Sequence, residues 1–278
     1  HNKAEFFLDD LTWNDLGMED IFLMVNQTYS SIGEDYLYWI LRTPITDQKE
    51  LSERNRLISY FQEHEKERLL LQQIYHQLGR MRKHSISDYL LRIKKLPEQK
   101  NWHHYAILAA ELFSFSLIFI NSALGVFCLL VSCGYGVVDY YKEKGKVEPY
   151  FVCLRQVTGM LCAADKLAEV DIKELAEYLA RLKQLKKECN QILRGSGLII
   201  TQHMSGSIGE VVLDYVRMLT HMDLIQFNRI LKEVKEKEES IYQIMGIYGF
   251  LESMIAAASF RGLLSMYCVP EYLSENSK

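Results

Sequence analysis

Apolar positions recur at helical spacing along most of this chain. Residues 18–42 read as two short helices, and in the second Leu37, Ile40 and Leu41 fall on one face. Pro44 cannot donate to a helix ladder and biases Thr43 away from helix, so that helix stops there. Asp47 with Glu50 is a capping-box-like start for a third helix over 47–63, with the apolar stripe Leu51, Leu57, Ile58 and Phe61. A fourth helix covers about 65–82. A basic stretch follows: residues 80–100 hold seven Lys/Arg against Asp88 and Glu98, and Pro97 interrupts the pattern.

The pattern then changes. Residues 105–138 carry one charge, Glu111, and Asn121 with Ser122 splits them into two apolar halves. Each half, 16 residues long, would rise about 24 Å as a helix, somewhat short of the roughly 30 Å hydrocarbon core of a bilayer. Trp102, Tyr105, Tyr140 and Tyr141 flank the run, with Lys142, Lys144 and Lys146 beyond. This is the arrangement of a helical hairpin in a membrane with both ends on the cytoplasmic side. A pair of fully buried core helices is the alternative, and the short halves and Glu111 suit it.

After Pro149 the helical pattern returns. Over 163–193, Leu167, Val170, Leu175, Leu179, Leu182 and Leu185 share a face, and Arg194, Gly195 and Gly197 end the segment. Residues 198–202 are β-rich. Ser207 and Glu210 form another capping box, opening a helix to about Met218. Residues 223–249 read as one long helix, in which the charged run 232–239 is a solvated stretch. The fold class is all-α: an elongated helical bundle with long lever helices and an apolar helical hairpin.

Composition narrows the function. The 278 residues carry a net charge of −4, which argues against a generally basic nucleic-acid-binding surface. The six Cys, at 128, 133, 153, 162, 189 and 268, show no Cys-x-x-Cys spacing and read as buried thiols of a reducing compartment, not as zinc ligands or disulfides. The N-terminus does not read as a signal peptide.

Two segments resemble the core (lever) domain of MutS-family DNA mismatch repair ATPases. The first runs over residues 29–61. There Gly33 opens a helix ending in Trp39, Ile40, Leu41 and Arg42, and the Pro44 turn, the acidic cap Asp47 and a helix with Arg54, Leu57, Ile58 and Phe61 follow in the family's order. The second runs over 249–271, from Gly249, Leu251, Glu252, Ser253, Ile255, Ala256, Ala258, Phe260 and Arg261 to Tyr267, Pro270 and Glu271. In the family that small-residue helix packs on the ATPase domain, and a short link leads into it. Glu252 stands where the family usually has Asp, and Val269 where it often has Arg.

The resemblance implies one core/lever domain over 1–278 with the apolar hairpin 105–138 inserted, and a C-terminal ATPase domain beyond Pro270. It implies ATP and Mg as cofactors of that missing domain and none in this chain. The partners it implies are the ATPase domain itself, a second copy in a homodimer, DNA, and a membrane through 105–138. The setting is the bacterial cytoplasm or the cytoplasmic face of the membrane. A helical membrane-scaffold or interaction protein without ATPase coupling is the rival reading.

The chemistry within the chain agrees with a mechanical part. ATP hydrolysis requires a Gly-rich loop ending in Gly-Lys-Ser/Thr. Gly145-Lys146 is followed by Val147, and Gly206-Ser-Ile-Gly209 lacks the Lys, so no ATPase activity is expected of these residues. Phe61-Gln62-Glu63 has the letters of the mismatch-reading motif, but Phe61 completes a helix stripe and reads as core. His103 and His104 are adjacent and point apart on a helix, and His203 and His221 have no partner at ligand spacing. No catalytic, cofactor-binding or metal-binding residue is assigned, and no DNA-binding residue is identified.

Overall fold

Asp9 opens the first helix by accepting the Thr12 N–H at 2.8 Å, and two later helices open on a side-chain cap of the same kind. The computed structural model describes residues 7–80, 86–97, 100–194, 196 and 208–269. Among them there is no strand. The helices are α1 (Asp10–Asp15), α2 (Met18–Val25), α3 (Ser31–Arg42), α4 (Gln48–Glu63), α5 (Glu65–Leu78), α6 (Ile86–Lys95), α7 (Trp102–Ile118), α8 (Ser122–Ala168), a 3-10 turn (Lys173–Leu175), α9 (Ala176–Glu188), α10 (Asn190–Leu193), α11 (Ile208–Thr220), α12 (Met222–Glu236) and α13 (Glu238–Leu263). The fold class is all-α.

The chain divides into two compact units. The first takes residues up to 86, 163–186 and from 242 onward; the second takes 87–162 and 187–241. The apolar run 105–138 therefore lies wholly in the second.

In the first unit the expected cap at Asp47 is present, and a further one, at Ser30, moves the start of α3. Ser30 Oγ accepts the Gly33 N–H at 3.1 Å, so α3 starts at Ser31, two residues before the glycine. Asp47 accepts the N–H groups of Lys49 and Glu50 at 2.7 and 3.4 Å and starts α4. Helix α5 ends at Leu78 and not near 82, because Gly79 turns the backbone to φ +69°. One part of the core gathers Trp13, Phe22, Val25, Leu37 and Ala256, with Tyr38 and Phe260 against it. Arg42 is buried beside it. Its guanidinium pairs with Asp10 at 2.6 Å and lies 4.6 Å from the Trp13 ring and 4.8 Å from that of Tyr38. Leu57, Phe61, Tyr75, Leu175, Leu182 and Tyr248 are fully enclosed, Tyr75 meeting Tyr248 edge-on at 5.7 Å.

In the second unit Phe151 stacks obliquely on Phe227 at 4.8 Å, and Leu154, Leu161, Ile192 and Ile230 are fully buried. Asn101 joins two elements: it donates to the Ile225 carbonyl at 3.2 Å and accepts from Asn228 at 2.9 Å.

Several expectations are corrected. Helix α8 runs through Pro149 instead of restarting after it. Proline removes one ladder bond, to the Gly145 carbonyl, but buried Val147, Phe151 and Leu154 on both sides hold the helix in place. The periodic segment 163–193 is broken between Ala168 and Lys173 and again at Cys189. The long helix of 223–249 is two helices interrupted at Lys237 (φ −108°, ψ 19°), and the second extends to Leu263. The run 232–239 is not all solvated: Val234 is buried, and Glu238 pairs with Lys94 at 2.9 Å. The cysteines form no disulfide, but only Cys153 and Cys189 are buried, while Cys162 and Cys268 are exposed. Gly195, the β-rich 198–202, His203, Ser207 and residues from Pro270 on lie outside the described residues.

Candidate functional site

In the first unit, the two segments that carry the family resemblance meet around one carboxylate. Glu252, on α13, is buried. The Tyr29 and Ser30 N–H groups donate to its Oε1 at 2.5 and 2.9 Å, and the Ser30 hydroxyl donates to its Oε2. That hydroxyl oxygen also caps α3, so one serine fixes the start of α3 and ties it to α13. Burial pushes the Glu252 carboxyl above its ordinary range, against the pull of the three donors and of Arg80. Glycine is required at Gly33, since a Cβ there would overlap the carboxylate of Glu252, and at Gly249, where it would overlap the Cβ of Tyr36. Arg261, near the end of α13, donates to Asn55 Oδ1 at 2.6 Å and Ser59 Oγ at 3.1 Å on α4. A groove of about 670 Å³ opens beside this joint, lined by Val25, Leu37, Arg54, Met254, Arg261 and Cys268 among others.

The small residues of α13 are engaged within the unit. Ser253, Ala256 and Ala258 are fully buried there. The exposed apolar side chains at this end are those that follow, Leu263, Leu264, Met266 and Tyr267.

In the second unit, α7 and the first part of α8 form an antiparallel hairpin turned at 119–121. Asn121 Oδ1 accepts the Leu124 N–H at 3.2 Å. Gly125 is needed because a Cβ there would lie 2.6 Å from Ile118 Cα. The buried-core alternative for 105–138 does not hold. Only 11% of the most apolar window of α8 is buried, and Phe113 (70% exposed), Ile120 (84%) and Leu130 (69%) point away from the protein. Helix α13 is also long and apolar enough to cross a membrane, but 67% of its window is buried, as in a core helix. Helix α11 packs near α7 and exposes Val211, Val212, Tyr215 and Val216.

A polar cluster sits at the base of this hairpin. His104 on α7, Asp139 on α8 and His221 between α11 and α12 place one ligand atom each within 4.8 Å of one another. His221 Nε2 is 3.0 Å from the Gly136 carbonyl, which only accepts, so Nε2 carries the proton and Nδ1 is a bare lone pair. That Nδ1 faces His104 Nδ1 at 2.9 Å. Burial lowers the pKa of both rings, helped at His104 by the proximity of His221, and both are neutral at pH 7. Asp139 Oδ2 lies 3.1 Å from His103 Nε2 and 4.0 Å from His221 Nδ1, yet it is buried and accepts no well-aligned hydrogen bond. His221 also holds φ +52°, an uncommon conformation for a residue with a Cβ. Next to it Tyr140 donates to Asp223 Oδ2 at 2.7 Å, and Lys144 donates to the Tyr140 oxygen at 2.7 Å.

The structure places Gly145-Lys146 in the interior of α8, where the backbone amides are held in the helix ladder and cannot cradle a phosphate. Phe61 is fully buried, in keeping with its reading as a core residue. His104 and His221, treated above as unrelated, are brought together. The other pair of the cluster follows from the hairpin: residues equidistant from a turn near 121 face each other, which pairs 104 with 139. Comparison with known protein families, with curated proteins and with solved structures finds no match.

Proposed function

We propose that this chain is the core of a MutS-like ATPase working at a membrane surface. It would carry nucleotide-dependent motion between an ATPase domain outside these residues and a DNA or membrane partner. The observation that carries the reading is the joint at Glu252. Two segments with the family's pattern, some two hundred residues apart in sequence, pack into one unit through Glu252, Gly33, Tyr36 and Arg261. Helix α13 replaces 223–249 as the candidate lever: it carries Glu252, ends at the exposed Leu263 and is followed by exposed Met266 and Tyr267, apolar side chains suited to meet a further domain. ATP and Mg would belong to that domain.

The membrane part of the proposal rests on the outward apolar side chains of 105–138. Trp102, Tyr105 and Tyr141 are exposed toward its base, as at a bilayer interface, whereas Tyr140, expected with them, is buried against Asp223; exposed Lys142 and Lys146 lie beyond. The same feature supports the rival reading, a helical membrane-scaffold protein with no ATPase coupling. The reading frame that follows Lys278 separates them. A phosphate-binding loop of the Gly-Lys-Ser/Thr type supports the lever, and a stop codon immediately after Lys278 overturns it. If the loop is present, non-hydrolysable ATP added to the whole protein should change amide exchange along α13.

A further inference from the structure

We propose that His104, Asp139 and His221 bind a divalent first-row transition metal, of which Zn²⁺ is the natural probe, at the base of the apolar hairpin. The inference stands whether or not the chain belongs to a MutS-like ATPase, because it uses only the second unit.

Three features of the cluster point the same way. The first is the donor set. Two imidazole nitrogens and one carboxylate oxygen suit zinc and its neighbours, whereas Mg²⁺ and Ca²⁺ prefer oxygen-only sites. The second is spacing. Tetrahedral zinc with bonds near 2.0–2.1 Å holds its ligand atoms about 3.3 Å apart. Two of the pairs are 2.9 Å (His104 Nδ1 to His221 Nδ1) and 4.0 Å (His221 Nδ1 to Asp139 Oδ2), and all three ligand atoms lie within 4.8 Å of one another, so shifts of about 1.5 Å or less would close the site. The third is the arrangement behind the ligands. Metal-binding histidines commonly donate their second ring N–H to a carbonyl or carboxylate, which fixes the tautomer. His221 does this through Nε2 to the Gly136 carbonyl, leaving Nδ1 aimed at the cluster. His103 sits against the Asp139 carboxylate and can orient it.

Without a metal the cluster is poorly satisfied. Asp139 Oδ2 has no well-aligned donor in a place where its side chain is only 12% exposed. The single Nδ1–H of His104 is the bond between the rings. Metal binding would shift that proton from Nδ1 to Nε2 of His104, with no net release from the neutral ring, leave both Nδ1 atoms as ligands and give the carboxylate its counter-charge. Three protein ligands leave a fourth position to solvent. The ion would tie α7, α8 and the α11–α12 junction together, so its expected role is to fix the hairpin on the unit that carries it.

The test uses the whole chain in detergent or lipid nanodiscs, stripped with a chelator and titrated with Zn²⁺ against a chromophoric competitor, then with Co²⁺. The expected result is one tight equivalent per chain, undisturbed by millimolar Mg²⁺, and intense visible Co²⁺ absorption typical of low coordination number. His221→Gln and Asp139→Asn keep side-chain size and should each weaken Zn²⁺ binding by at least about 100-fold, more than is usual for an outer-shell partner. His76→Gln, at a histidine of the first unit, should bind as the parent does. Helical circular dichroism like that of the parent shows that a variant is folded. If His221→Gln does not fold, the parent's stoichiometry and Co²⁺ spectrum decide alone. Binding no tighter in the parent than in a folded Asp139→Asn variant, or a six-coordinate Co²⁺ spectrum with several weak equivalents, overturns the proposal.

Discussion

The carboxylate of Glu252 occupies the space that a side chain at Gly33 would need. Three donors pin it there, so it cannot swing aside without leaving the N–H groups of Tyr29 and Ser30 unpaired. The glycine and the acid are therefore one device, although 219 positions separate them in sequence.

Gly33→Ala should destabilise the protein by about 2–3 kcal/mol. Alanine favours helix by up to about 1 kcal/mol, but each buried donor left unpaired costs about 1–3 kcal/mol. The check is a double-mutant cycle in denaturant. In a Glu252→Ala background the same substitution should cost far less, because the obstruction is gone. Additive losses would mean that the two residues do not compete for the same space.

The same carboxyl gives a pH dependence of known sign. Burial raises its pKa in the folded state above the unfolded value near 4.5. The folded protein therefore holds the proton more tightly. The resulting stability is complete below about pH 4.5 and is lost as pH rises through the folded pKa. Glu252→Gln cannot titrate. The stability of the parent relative to Glu252→Gln should be greatest in mild acid and shrink toward neutral pH. A difference that grows with pH would show that the donors outweigh burial.

How much of this was legible in the chain depends on the range of the interaction. The end of α3 and the start of α4 were readable because Pro44 and Asp47 act on their own neighbours. The hairpin turn at 119–121 was readable because Asn121 interrupts an otherwise unbroken apolar run. Pro149 misled, since burial of Val147, Phe151 and Leu154 outweighs the lost ladder bond. The break at Lys237 has no glycine or proline to announce it, and the structure offers no single cause. His221 could not be matched to His104 from sequence: its approach depends on how the α11–α12 junction folds back, and spacing along the chain carries no trace of it.

Tyr140→Phe should cost about 1–3 kcal/mol. Asp223 is fully buried, and Tyr140 is the 2.7 Å donor to its Oδ2; the remaining cation, Lys144, is 3.7 Å away. Removing the hydroxyl removes that donor and also the 2.7 Å acceptor of Lys144. Tyr140→Phe combined with Asp223→Asn should recover part of the loss, since the amide carries no buried charge to leave uncompensated. Thermal melts of the four proteins read the outcome, and equal melting temperatures for parent and Tyr140→Phe would refute the account.

The apolar hairpin makes the prediction with the largest effect. Phe113 and Leu130 lie one on each helix and are 70% and 69% exposed, so neither is held by the protein around it. In water such a surface drives self-association; in a bilayer it is solvated by lipid. Arginine at either position should leave the helical units folded, because no packed neighbour is displaced. It should nevertheless oppose insertion by about 2.5–3.5 kcal/mol if the residue sits near the centre of the hydrocarbon. Phe113→Arg with Leu130→Arg should shift the protein from floating with anionic vesicles to the soluble fraction, with unchanged helical circular dichroism. Leu154→Arg, at a fully buried position of the same unit, supplies the contrast, since there an unpaired charge should unfold the protein. If the parent remains monomeric without detergent and does not float with vesicles, the membrane assignment of 105–138 fails, whatever the arginine variants do.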